Sequence, residues 1–154
     1  MGKEMSDPAS VGGKHPGRMD MFARDAWVEA LRSGKFTQGD KAMRRKLKGG
    51  DVFDPVGVLS ELYRRETEKG QWVAGHKRGS RAGSDRMTFV LGKDLIDTKT
   101  GARIKRWWTH APPPEVMQWA DLHYRDATRI MAMSDRGKTF EEIADWIESN
   151  LQES

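Results

Sequence analysis

Cysteine is absent from the 154 residues, and histidine occurs four times. The first absence removes disulfides, thiol nucleophiles and every thiolate metal site. The second leaves little for a zinc or copper centre, so neither a metal nor any other cofactor is expected. Uncharged apolar runs are short as well. None nears the roughly 18 residues of a membrane span, and the first residues lack the apolar stretch of a signal peptide. The expectation is a soluble, cytoplasmic protein with no membrane partner. Apolar residues make up only 36% of the chain, and the mean hydropathy is −0.79. With the 16 glycines added, the total still falls in the globular range of roughly 45–50%. The length suits one domain, since two would each lie near the small end of what a core supports.

Met1 to Arg18 (MGKEMSDPASVGGKHPGR) mixes glycine, proline, serine and charge with almost no large apolar side chain. Such a composition cannot offset ordering entropy by burial, and it predicts a disordered tail over 1–18 ahead of a single domain over 19–154. From Asp20 onward Phe22, Ala23, Ala26, Trp27, Ala30 and Leu31 recur at helical spacing, and Ser33-Gly34 supplies a stop. Residues 35–51 are too glycine-broken and sparsely apolar for a confident element and read as a loop with one helical turn. Asp54-Pro55 then starts a second helix, because Asp caps free amides and Pro needs no donor at the first position. Val58, Leu59, Leu62 and Tyr63 form its inner face.

Between Gln71 and Trp108 the period shortens. Trp72-Val73, Met87 to Leu91, Leu95-Ile96 and Ala102 to Trp108 read as strands, with Thr98 to Gly101 as a hairpin turn. Alternation places Trp107 and Trp108 on opposite faces, one packed and one displayed. Pro112 to Pro114 leads into a third helix running to Ser134. Thr139 and Glu142 form a capping box for a fourth, striped by Phe140, Ile143, Ala144, Ile147 and Leu151. The order predicts an α+β fold: a small antiparallel sheet of about three strands flanked by four helices, two before and two after.

A formal charge of +4 conceals an asymmetry, since residues 1–114 carry 23 Lys/Arg against 14 Asp/Glu and residues 115–154 carry 4 against 9. The basic groups concentrate in three places: Lys41 to Lys48, Lys77, Arg78, Arg81 and Arg86, and finally Lys99, Arg103, Lys105 and Arg106. Cations beside Trp107 and Trp108 combine phosphate attraction with stacking, which single-stranded nucleic acid or a nucleotide requires. The alternative is a set of solvated charges balanced by the acidic helices. His76 to Arg86 (HKRGSRAGSDR) similarly reads either as a phosphate-wrapping loop or as a plain hairpin loop, and it is not a P-loop.

Catalytic signals are few. His123 and Asp126 would share a helix face, as a base and its orienting carboxylate do, but an amphipathic helix with a half-buried histidine explains the pattern equally. Thr109-His110 belongs to no paired motif, and Glu141, Glu142, Asp145 and Glu148 fit a solvated helix face. No nucleophile sits in a G-x-S-x-G turn. No catalytic residue is assigned, and the chain is not expected to be an enzyme.

Three blocks together resemble a known group. They are Trp27 to Gly39 (WVEALRSGKFTQG), Phe53 to Leu59 with Leu62-Tyr63, and Ile130 to Ile147 (IMAMSDRGKTFEEIADWI). They are similar to a family of small uncharacterised proteins encoded by bacteriophages, prophages and plasmids. The resemblance implies a phage or mobile-element origin, and hence the cytoplasm of a host cell, but it brings no activity with it. Many relatives carry two cysteines ahead of the Gly-Val-Leu segment, where this chain has Asp54 and Pro55. No metal or redox role therefore comes over. Most of the shared blocks read as scaffold, which leaves Gln71 to His110 as the place for specific function.

The expected function is a non-enzymatic accessory protein that binds an anionic partner, nucleic acid or a nucleotide-like ligand. Its site would comprise Lys77, Arg78, Arg81, Arg86, Arg103, Lys105, Arg106 and Trp107. The alternative is an interaction protein that uses exposed tryptophans to bind and inhibit or redirect a host protein.

Overall fold

A computed structural model of the chain describes residues 12–74, 85–96 and 103–154. Its elements run β1 (Arg18–Met19), α1 (Met21–Arg32), β2 (Thr37–Gln38), β3 (Arg44–Leu47), β4 (Gly50–Phe53) and α2 (Pro55–Thr67) in the first part. They continue with β5 (Gln71–Ala74), β6 (Met87–Ile96), β7 (Arg103–Trp108), α3 (Pro114–Ala120), α4 (Tyr124–Asp135), α5 (Phe140–Asn150) and β8 (Gln152–Glu153). The class is α+β.

The layout is richer than the sequence predicts, with five helices and three small sheets among the described residues. The expected antiparallel sheet is present as β5-β6-β7, joined by a β2-β4-β3 sheet and a parallel β1-β8 pair. The hairpin turn expected at Thr98 to Gly101 lies outside the described residues.

Local chemistry explains the helix starts. Asp20 accepts from the Ala23 amide at 2.9 Å to cap α1, and Asp54 accepts from Gly57 at 2.7 Å to cap α2. Both halves of the capping box on α5 form: the Glu142 amide donates to Thr139 Oγ1 at 3.1 Å, and the Thr139 amide donates to Glu142 Oε1 at 2.9 Å. These caps satisfy amides that no intrahelical carbonyl can reach. The apolar stripe of α5 is buried against α1. Trp27 of α1 is fully buried and hands its indole N–H to the Pro55 carbonyl at 2.9 Å.

Two expectations are corrected. Residues 35–51 are not a loop with a helical turn: they contain β2 and the β3-β4 hairpin, in which Arg44 faces Phe53 and Lys46 faces Asp51. The strand lacks an apolar signature because Arg44 substitutes for one. Its guanidinium lies 4.9 Å from the Phe53 ring and 5.5 Å from Trp72, and Asp51 takes its charge at 2.6 Å. The expected third helix is two helices. Asp121 turns left-handed at φ 52°, Leu122 is buried, and His123 starts α4.

Residues 12–18, assigned to the tail by composition, lie against this junction. Gly13 donates to the Leu122 carbonyl at 2.8 Å, and Gly17 donates to Asp126 Oδ2 at 2.7 Å. A Cβ on Gly12 or Gly13 would meet the carbonyl oxygens of Leu122 and Asp121, so glycine permits the approach. Residues 1–11 lie outside the described residues.

Candidate functional site

The β5-β6-β7 sheet sorts its aromatic residues by face. Trp72, Phe89 and Trp108 form one row across the three strands, and the row beside it is Gln71, Val90 and Trp107. The first row faces the core: Phe89 is fully buried, and Trp72 and Trp108 pack on the core half-buried. Trp72 meets Phe89 edge-on at 4.8 Å. The second row faces out, where Trp107 is 47% exposed and Val73, on the same face, 39%. One tryptophan is therefore packed and its neighbour displayed, as strand alternation dictates.

The predicted basic site is only partly placed. Arg103 and Arg106 sit on the backbone of β7 opposite Ile96 and Leu91, with Lys105 between them. Arg86 is exposed and pairs through its backbone with Arg45. It precedes Val90, the partner of Trp107, by four residues, or about 13 Å along a strand. Lys77, Arg78 and Arg81 lie outside the described residues.

Two arginines of the Lys41 to Lys48 block are already engaged. Arg44 is held by Asp51, and Arg45 by Asp85 at 2.9 Å and Asp40 at 3.4 Å. The Asp85 carboxyl is drawn below the usual range chiefly by its hydrogen bonds from Arg45. The Lys46 amide also donates to the Asp85 carbonyl at 2.7 Å, so β3 is fastened to the start of β6. These interactions join the two sheets.

The catalytic candidates have structural duties. His123 is buried as the cap of α4, with Nδ1 accepting from the Arg125 amide at 3.1 Å and its ring stacked on Tyr124 at 5.1 Å. It precedes the helix, so it does not share a helix face with Asp126, whose Oδ2 is taken by the Gly17 amide. Glu141, Asp145 and Glu148 are not simply solvated: they converge on Arg32 at 3.0, 2.5 and 2.9 Å, tying α1 to α5. Among the described residues no group of three His, Asp or Glu side chains could hold a metal ion. No helix there is long and apolar enough to cross a membrane.

Sequence reasoning missed the outer face of α4. Arg125, Arg129 and Arg136 are exposed there, and among the described residues none of them makes an ion pair. Two concavities adjoin along this helix. One of about 320 Å³ is lined by Pro16, Gly17, Arg125, Asp126, Arg129, Trp146 and Asn150. The other, of about 500 Å³, is lined by Tyr124, Arg125, Thr128, Arg129, Ala132 and Arg136. Arg125 and Arg129 border both. The i, i+4, i+11 spacing was the available signal, hidden by the acidic balance of residues 115–154.

No curated protein and no solved structure matches the chain. A family model described as a domain of unknown function, DUF8296, matches residues 19–151, from the end of β1 to the residue that caps the C-terminal end of α5, and the chain belongs to that family.

Proposed function

We propose that the protein is a phage-encoded, non-enzymatic accessory protein of the host cytoplasm that binds nucleic acid or a nucleotide-like ligand through its basic central hairpin. The observation that carries this reading is Trp107, 47% exposed on the outer face of β7, the strand whose backbone also bears Arg103, Lys105 and Arg106. An exposed indole on a cationic strand supplies stacking and phosphate attraction together. The test is a titration with labelled single- and double-stranded oligonucleotides across a salt series. Binding should be salt-steep and stronger on single strands. Replacing Trp107 by Ala should weaken it about tenfold, within the range of one base–aromatic stack. Replacing Arg103, Lys105 and Arg106 together should flatten the salt slope. Wild-type protein that binds no oligonucleotide at low salt sinks the proposal.

A second reading draws on the same face. Val73 and Trp107 are both exposed on it, and an apolar sheet face can anchor a host protein. Capture of a host protein that survives nuclease and moderate salt and is lost with Trp107→Ala would favour it.

A further inference from the structure

We infer that the outer face of α4 is a second nucleic-acid contact, seating a phosphate of a single strand on the Arg125–Arg129 ridge with a base in the concavity on either side. The inference rests on the reading that the protein binds nucleic acid, but it uses a different surface and different residues.

Three observations converge. Arg125 and Arg129 stand one helical turn apart, exposed and without ion-pair partners among the described residues, and Arg136 continues their face. Elsewhere in the described structure Arg32, Arg44, Arg45, Arg64 and Arg65 are all spent on carboxylates. Planar guanidinium groups left unpaired suit an incoming phosphate, which accepts two parallel hydrogen bonds.

The ridge also divides two hollows, each within the roughly 300–1,000 Å³ of ligand pockets. Each holds an aromatic residue: Tyr124, steadied by its stack on His123, lines the larger, and Trp146 lines the smaller. Cation, hollow and ring on both sides form the repeat that a sugar–phosphate strand with splayed bases would fill.

Charge decides where the phosphate sits. The larger hollow is lined by three arginines and no carboxylate, whereas Asp126 lines the smaller one. The phosphate therefore belongs on the ridge and toward Arg136, and the smaller hollow suits an uncharged base against Trp146. Asn150 there commits its amide nitrogen to the Trp146 carbonyl at 2.9 Å, which leaves Oδ1 to accept from an exocyclic amine. An acidic peptide would use the arginines but has no use for flanking rings, so nucleic acid is the better occupant.

The experiment compares the full-length wild type, Arg125→Gln/Arg129→Gln and Trp107→Ala for binding a fluorescein-labelled 12-nucleotide single strand across a salt series. A 12-mer of abasic sites and polyglutamate serve as competitors. The double variant should lose about tenfold in affinity, and its log–log salt slope should fall by about 0.7 in magnitude, the value for one phosphate on a single strand. Its thermal unfolding should match the wild type, since the two guanidinium groups make no ion pair among the described residues. The abasic strand should compete much more weakly than the natural one. Wild-type affinity and slope in the double variant, with Trp107→Ala weakened, would overturn the α4 site and leave the hairpin reading standing. The converse pattern would do the opposite. Polyglutamate binding that depends on both arginines, beside unchanged oligonucleotide binding, would reassign the face to an acidic protein and overturn the inference.

Discussion

The Trp72 indole donates to Oε1 of Glu61 at 2.9 Å, fastening β5 to α2. The same carboxylate, buried at 4% exposure, accepts from Arg64 at 2.8 Å and Arg65 at 2.7 Å. Burial alone would raise its pKa, but the hydrogen bonds from Arg64, Trp72 and Arg65 outweigh that and hold it at about 2. This group positions the packed face of the sheet whose other face displays Trp107.

Glu61→Ala should therefore destabilise the fold by about 1–3 kcal/mol, since the Trp72 N–H loses its acceptor while Arg64 and Arg65 can still reach water. In a chain of this size that lowers the unfolding temperature by roughly 2–4 °C per kcal/mol. The sign with pH follows from the depressed value. The folded state binds fewer protons than the unfolded one, so the contribution is whole above about pH 4.5 and fades as pH falls toward 2. Thermal melts of wild type and variant from pH 7 to pH 2.5 should converge at the acid end. A constant gap would show that the carboxylate's charge is not what the site uses.

The particular elements show what a sequence can and cannot reveal. The capping box at Thr139 and the Asp54-Pro55 start were legible because capping depends on residues within three positions of one another. Trp107 and Trp108 sorted correctly because strand alternation has a fixed period of two. The β3-β4 hairpin was not legible. Its apolar contacts come from the stem and guanidinium of Arg44 lying on Phe53 and Trp72, and hydropathy counts that residue as polar. The break before α4 was equally hidden, because Asp121 and His123 interrupt the helix through a left-handed turn and a side-chain cap rather than through glycine or proline. Net charge over residues 115–154 obscured the α4 arginines for a different reason: four of the nine carboxylates that set the average stand on α5, and three of these gather around Arg32.

Asp54 behaves oppositely to Glu61. Burial, helped by the negative charge of Asp135, pushes its carboxyl up to about 7 against the pull of the Gly57 and Val56 amides. Between about pH 4 and pH 7 the folded state then holds a proton that the unfolded state has released. Stability contributed by this group is whole at low pH and is lost as pH rises through that window. Asp54→Asn keeps an oxygen for the Gly57 amide and removes the titration. Its stability relative to wild type should climb from pH 4 to pH 8, by at most about 1.4 kcal/mol per pH unit, and then level off. Denaturant titrations at each pH measure the difference directly, and a flat difference would return Asp54 to an ordinary carboxylate.

Gly57 sits in the first turn of α2, where a general rule and a local contact disagree. Replacing a helical glycine by alanine ordinarily gains up to about 1 kcal/mol. Here the new Cβ would overlap the Met43 carbonyl oxygen. That carbonyl cannot retreat cheaply, because it accepts from the Asp54 amide at 3.0 Å while the Met43 amide donates to Thr109 at 2.8 Å. The segment is thus held from both sides, and Met43 itself is fully buried. Overpacking against tethered backbone should win over propensity, and Gly57→Ala should lower stability by about 1–3 kcal/mol. Gly49, where an added Cβ would meet nothing within 4 Å, supplies the control: Gly49→Ala should fall within about 0.5 kcal/mol of wild type. Denaturant midpoints at constant m-value separate the two. A Gly57→Ala midpoint at or above wild type would mean that the junction between β3 and α2 yields where its hydrogen bonds say it should hold.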